Sequence, residues 1–264
     1  MKLSILSLIG LVLFLCSCDH DAQVDENESK IIPKEISFYT PDSIQIIGDL
    51  YELDKKESTI LLFHQGGSNA RAEYGSIIPK LIERGFNVIA TDQRIGGQTY
   101  GGYNRTLAKI PTNSFGDGYT YCDAYNNLES ALDYIIDLGF TGDKLIWGSS
   151  YSASLAIQLA SKRQGDIDGV LAFSPATGGS LRNCLPSPYI ESIQVPLIIL
   201  KPQSEMDSES SARQFKLALK YDHQTFISEH GVHGSSMLVK ERTESDVDET
   251  WEVVYSFLNE FSNN

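Results

Sequence analysis

Several side chains in this 264-residue sequence have the types needed to form a bond to carbon and move a proton. The apolar run Leu145-Ile146-Trp147 leads into Gly148-Ser149-Ser150-Tyr151-Ser152, a small-x-Ser-x-small turn close to G-x-S-x-G. Residues 153–160 then have helical spacing, so Ser150 sits where a strand turns sharply into a helix N-terminus. That position favours developing negative charge and makes Ser150 a candidate nucleophile. A serine-rich helix cap without chemistry is the bland alternative. Two carboxylates, Glu205 and Asp207, lie just after the apolar run 196–200. Two histidines, His230 and His233, lie just after residues 224–227, and each is followed by glycine. His64 ends the apolar run 59–63 and precedes Gln65-Gly66-Gly67, a segment whose backbone can approach another molecule closely. We read His64 as structural, and His223, which precedes its strand, as a surface residue.

These residues need a frame. Residues 36–39 and 44–51 read as an antiparallel edge hairpin joined by a Pro-Asp turn, with Gly48 marking a bulge. Residues 59–63, 86–92, 145–147, 169–173 and 196–200 are short apolar runs, as expected of strands buried on both faces. Helical spacing predicts helices over 74–84, 121–138, 153–160, 210–219 and 250–261, with Gly85 and Gly139 as stops. Alternating strands and helices predict a mostly parallel sheet covered by helices on both faces. The Gly-, Tyr- and Asn-rich stretch 95–120 reads either as a cleft wall or as a surface excursion packing its own aromatics. In the first case Tyr100, Tyr103, Phe115 and Tyr119 would meet a substrate. No internal repeat is visible.

The order of these features resembles the α/β-hydrolase superfamily over nearly all of the chain from Ile36 onward. His64-Gln65-Gly66-Gly67 resembles its oxyanion loop, Asp92-Gln93-Arg94-Ile95-Gly96-Gly97 its D-x-R-x-x-G turn, and the Ser150 turn its nucleophile elbow. The chain looks most like the small dienelactone hydrolase and esterase-like members without a large cap domain. The resemblance implies a triad of Ser150, Glu205 and His233, with Asp207 and His230 as the rival acid and base. It implies oxyanion donors at the N–H of Gly66, with Gln65 second, and of Tyr151. Two positions depart from the family pattern: Gln65 and Ser152 stand where glycine is usual. The implied reaction is hydrolysis of small-molecule carboxylic esters through an acyl-enzyme, with no cofactor and no metal. The alternatives are a non-catalytic binding protein on the same fold and a serine peptidase.

The N-terminus carries a separate message. Met1-Lys2 precedes an apolar run over 3–15 of signal-peptide length, too short for a stable membrane span. It ends in Leu15-Cys16-Ser17-Cys18, which resembles a bacterial lipobox. We therefore expect a signal peptide over 1–17, lipidation of Cys18 (with Cys16 the rival), an acidic tether over 18–33 and a folded domain over 34–264. This implies a membrane partner reached through acyl chains and a location in the cell envelope. The formal net charge of −14 argues against nucleic acid as a partner. Of four cysteines, Cys122 and Cys184 remain for the folded domain, as a disulfide or as two thiols.

Overall fold

The structure, a computed structural model, describes residues 31–111, 114 and 120–262. The expected signal segment, Cys16, Cys18 and most of the tether lie outside the described residues, as do Phe115 and Tyr119. Among the described residues, eight strands form one sheet in the order β1-β2-β4-β3-β5-β6-β7-β8. They are β1 (Lys34–Tyr39), β2 (Gln45–Tyr51), β3 (Thr59–Phe63), β4 (Asn87–Asp92), β5 (Lys144–Ser149), β6 (Gly169–Phe173), β7 (Leu197–Pro202) and β8 (Gln224–Ser228). β1 and β2 pair antiparallel at one edge, and β3 to β8 run parallel.

The strands are apolar on both faces because both faces are covered. Along β3, Leu61 and Phe63 join one core cluster, whereas Ile60 and Leu62 join the other. The first cluster is closed by helices α3 (Tyr125–Asp137), α4 (Tyr151–Lys162) and α6 (Glu209–Lys220). The second is closed by α1 (Ala70–Tyr74), α2 (Ile78–Ile82) and α8 (Asp248–Leu258). Two four-residue helices, α5 (Ser187–Ile190) and α7 (Lys240–Thr243), complete the set. No described helix is long and apolar enough to cross a membrane.

Three expectations are corrected. Of the helix expected over 74–84, only Ile78–Ile82 forms, as α2, set off by a turn from α1, which ends at Tyr74; Pro79 stands in the first turn of α2, where its missing N–H costs nothing. Gly48 marks no bulge: the register runs through it, Ile36↔Gly48 on one side and Gly48↔Thr91 on the other. A Cβ there would lie 2.9 Å from Ala90 O and the Thr91 side chain, so the glycine serves close strand packing. His223 is buried, not a surface residue, with Nε2 2.9 Å from Ile190 O.

A buried ionic cluster ties the sheet edge to the start of the long loop. Arg105 donates to Asp92 Oδ2 (2.7 Å) and to both oxygens of Asp49 (2.9 and 3.0 Å). Arg71 adds two further bonds to Asp49. Asp92 also accepts the Ala70 N–H (2.8 Å) and so holds the start of α1. Arg94, the arginine of the D-x-R-x-x-G turn, is buried and bonds Asp42 and Asn127. Cys122 and Cys184 form a disulfide with Cα atoms 5.6 Å apart.

Candidate active site

The sharp turn after β5 gives Ser150 a backbone conformation that L residues seldom adopt, φ 60° and ψ −120°. Such a state costs about 1–3 kcal/mol and persists only where surroundings over-determine it. Here the Ser150 N–H donates to Phe173 O (2.8 Å), and the Ser150 carbonyl accepts from Ala153 N–H (3.1 Å) in α4. Strand and helix meet so closely that a Cβ on Gly148 would lie 2.5 Å from Ala153 Cα, which is why a small residue precedes the turn. The serine that replaces glycine two residues after Ser150 has its own partner: Ser152 is buried and donates to His64 O (2.7 Å). That bond ties the elbow to the end of β3.

His64 is locked in place. Its Nε2 accepts the Gln93 N–H (2.8 Å), so its Nδ1 carries the proton and donates to Gln65 O (2.8 Å). With both nitrogens used and the ring wholly buried, His64 shapes the loop it precedes. Of the three expected oxyanion donors, the Gln65 N–H is committed elsewhere: it donates to Glu73 Oε2 (2.9 Å). Gly66 faces a cavity of about 450 Å³, and among the described residues nothing accepts from its N–H. Tyr151 opens α4 immediately after Ser150 and faces the same cavity.

The structure brings His233 and Glu205 together and leaves their rivals apart. His233 Nδ1 lies 2.6 Å from Glu205 Oε1. Asp207 and His230 are exposed side chains of neighbouring loop positions. His233 and Ser150 line the same cavity, with Gln65, Gly66, Tyr121, Tyr151, residues 176–179 and Leu181 as the remaining walls. Gly234 is required after His233: its φ is 69°, and a Cβ would lie 2.3 Å from Ser149 Oγ. Tyr100 and Tyr103, expected as substrate contacts, do not line this cavity. Tyr100 instead accepts hydrogen bonds from Gln65 Nε2 (3.0 Å) and Ser236 Oγ (2.9 Å).

Three further polar residues support the site, and sequence reasoning did not single them out. Lys201 is buried, donating to Pro175 O (3.2 Å) and to Glu205 Oε2 (3.4 Å). Ser174, at φ 50°, accepts the Gly234 N–H (3.0 Å). Burial raises the Glu205 pKa, but the His233 hydrogen bond and the Lys201 charge outweigh it and hold the carboxyl below its ordinary range. Glu73 is the third. The i, i+4 spacing of Lys201 and Glu205 was the one local signal available for this group.

No protein-family model matches the sequence, and no curated protein matches it either. Solved structures do. An esterase from Pyrococcus furiosus is 19% identical, covering 88% of this chain and 91% of that one, at a TM-score of 0.66. A thermostable carboxyl esterase from Bacillus coagulans is 12% identical, covering 87% and 98%, also at 0.66. An acylaminoacyl peptidase from Pyrococcus horikoshii is 12% identical, covering 88% of this chain but 42% of that one, at 0.61. With the strand order and helix layers above, these likenesses establish that the chain has the α/β-hydrolase fold.

Proposed function

We propose that the protein is a serine hydrolase of carboxylic esters. The observation that carries this reading is the strained Ser150 at the head of α4, sharing a cavity with a histidine whose far nitrogen is held by Glu205 at 2.6 Å. Because a carboxylate only accepts, His233 Nδ1 donates to Glu205, and Nε2 is the nitrogen that takes a proton. In the first half-reaction Ser150 Oγ bonds to the ester carbonyl carbon, and its proton passes to His233 Nε2. The carbonyl oxygen becomes an oxyanion facing the N–H groups of Gly66 and Tyr151, each worth about 2.7–4 kcal/mol in such a site. The imidazolium then protonates the alcohol as the C–O bond breaks. In the second half-reaction water, deprotonated by His233, attacks the acyl carbon and Ser150 leaves with the proton.

The two positions that favoured a non-catalytic reading, Gln65 and Ser152, have partners of their own: Glu73 and Tyr100 for the first, His64 for the second. Esterases and a peptidase both share the fold, so the leaving group is a matter for experiment. The test is labelling of Ser150 by a fluorophosphonate probe, followed by turnover of p-nitrophenyl esters of increasing acyl length and of matched p-nitroanilides. Failure of wild type to label, with Ser150→Ala indistinguishable from it, sinks the reading. Faster turnover of the anilides moves it to a peptidase.

We further propose that Cys18 carries lipid and that 18–33 tethers the domain to a membrane of a bacterial envelope. The short apolar run ending in Leu15-Cys16-Ser17-Cys18 supports this. Wild type should take up a fatty-acid analogue and partition into detergent, and Cys18→Ser should release active soluble enzyme. An unlabelled wild-type protein in the aqueous phase refutes the anchor.

A further inference from the structure

The loop that carries Gly66 is bonded to a carboxyl group beneath the site, and the nucleophile and histidine loops are bonded to each other beside it. Glu73, in α1, is completely buried. It accepts the N–H of Gln65 (2.9 Å), the residue immediately before Gly66. The hydroxyl of Ser149, the residue immediately before Ser150, lies near enough to the same carboxyl to lower its pKa, although Glu73 Oε1 has no hydrogen-bond partner among the described residues. Ser149 Oγ in turn accepts the N–H of Ser235 (3.0 Å), two residues beyond His233. Glu73 is itself clamped from the histidine side. Arg242 donates to the carbonyls of Glu73 (3.0 Å) and Ala72 (2.5 Å) and to Ser236 Oγ (3.2 Å).

This arrangement is expensive by ordinary packing standards. A carboxyl with no exposure loses its hydration, and that burial raises its pKa. An apolar side chain would fill the same space at lower cost but would leave the Gln65 N–H buried and unpaired. Peptide geometry gives the carboxyl a further consequence. The Glu73 bond fixes the 64–65 peptide, and His64 Nδ1 holds the Gln65 carbonyl of the next peptide, whose N–H is that of Gly66, a residue that lines the cavity. A peptide free to rotate there would aim that N–H elsewhere for part of the time.

We propose that Glu73 is a positioning residue of the active site, holding the Gly66 N–H toward the substrate oxyanion and keeping the nucleophile and histidine loops in one frame through Ser149 and Ser235. The proposal rests on the serine-hydrolase reading. It assigns Glu73 no contact with substrate.

The experiment compares Glu73→Ala, Glu73→Gln and Ser149→Ala with wild type. The measurements are kcat and KM for a short-chain p-nitrophenyl ester, the rate of fluorophosphonate labelling, and the Ki of a trifluoromethyl ketone that forms an oxyanion on Ser150. Rates are divided by the fraction of molecules that label at completion. Glu73→Ala should lower kcat about 10²-fold, the size of one oxyanion donor, with KM within a few-fold. Its Ki for the ketone should rise in proportion to the loss in kcat/KM, because both report binding of the oxyanion. Glu73→Gln, whose amide oxygen still accepts from Gln65, should recover most of that loss. Ser149→Ala should cost about tenfold by the same route, roughly half the free energy of one donor. If Glu73→Ala folds and keeps the wild-type kcat and ketone Ki, the carboxyl is merely structural and the proposal is wrong. Should Glu73→Ala not fold, Ser149→Ala decides: an unchanged kcat and Ki overturns the proposal. Wild type that never labels overturns the hydrolase reading and this proposal together, whereas undiminished labelling of Glu73→Ala beside a reactive wild type overturns this proposal alone.

Discussion

The floor and the wall of the cleft are built differently. The floor is the set of strand ends that carry Gln65, Gly66, Ser150, Glu205 and His233. There each loop is tied to a neighbouring one by buried polar bonds: Ser152 to His64 O, Gln65 to Glu73, Ser235 to Ser149 and Gly234 to Ser174. The wall contributed by Tyr121 and residues 176–181 carries a covalent tie in addition to its hydrogen bonds at Ala176 and the packing of Leu181. The Cys122–Cys184 bridge joins the turn that presents Tyr121 to the loop that presents Leu181. The contrast separates two requirements. Reacting atoms need positions fixed to a fraction of an ångström, which networks of directional bonds supply. A cleft wall needs only a shape, and a cross-link across an irregular loop helps to keep it.

The largest expected effects come from deleting groups of the floor. Ser150→Ala and His233→Ala should each lower kcat for an ester by about 10⁶-fold, because triad members act as a unit. Glu205→Gln, which leaves the shape and removes the charge, should cost about 10⁴-fold. Asp207→Ala and His230→Ala, both exposed, should stay within a few-fold of wild type. Steady-state kinetics on purified variants with wild-type circular dichroism checks this ranking. A His230→Ala loss larger than that of His233→Ala would exchange the roles of the two histidines.

Stability separates the regions next. Arg105→Leu would leave Asp92 and part of the Asp49 site as buried charge without its main partner. Removing one member of such a cluster costs about 3–5 kcal/mol, and chemical denaturation should read that loss as a lower midpoint. Breaking the wall by Cys122→Ser with Cys184→Ser should cost a similar amount, about 4 kcal/mol for a bridge that spans 62 positions. The two variants should differ in their kinetic signature. With the cross-link gone, kcat for an acetate ester should be unchanged, while the preference among acyl lengths should flatten. If the double variant loses kcat on acetate while keeping its length preference, the bridge supports the floor and the contrast fails.

How much of this was legible in the sequence follows the same division. The buried strands announced themselves as apolar runs, and Ser150, Glu205 and His233 could be proposed because their order after successive strands resembles that of α/β-hydrolases. Ties between distant segments left no such trace. Nothing near Glu73 indicates that it will meet Gln65 and Ser149, and nothing near Arg105 indicates Asp49, 56 positions away. His223 was misread because its burial depends on the Ile190 carbonyl of another loop. Gly48 was misread because a close strand contact and a bulge both ask for glycine. The late start of the helix expected over 74–84 was signalled by Pro79, which the apolar spacing around it obscured. Gln65 and Ser152 looked like departures while the site was a string of residues; in space each has a bond that explains its side chain.

The smallest expected effect concerns pH, and it distinguishes floor from wall by whether stability depends on pH at all. The floor contains two carboxyls shifted in opposite directions. Glu205 is held below its ordinary range: burial works against this, but the His233 hydrogen bond and the Lys201 charge prevail. Its contribution to stability is therefore fully present above the unfolded value and is lost as pH falls through the lower folded one. Glu73 is raised by burial, so the folded protein holds its proton more tightly than the unfolded chain does. Its contribution is present below the unfolded value and is lost as pH rises through the folded one. The cross-link at the wall does not titrate. Measured by urea denaturation from acid to neutral pH, the deficit of Glu205→Gln relative to wild type should shrink toward acid. Its size at neutral pH should be on the order of 1 kcal/mol, a charge-assisted hydrogen bond discounted for partial exposure. Glu73→Gln should move the other way, gaining on wild type as pH rises. The deficit of the double cysteine variant should stay level across the whole range. A level deficit for Glu205→Gln would mean that its carboxyl does not titrate differently in the folded protein, and the electrostatic part of the contrast would then be lost.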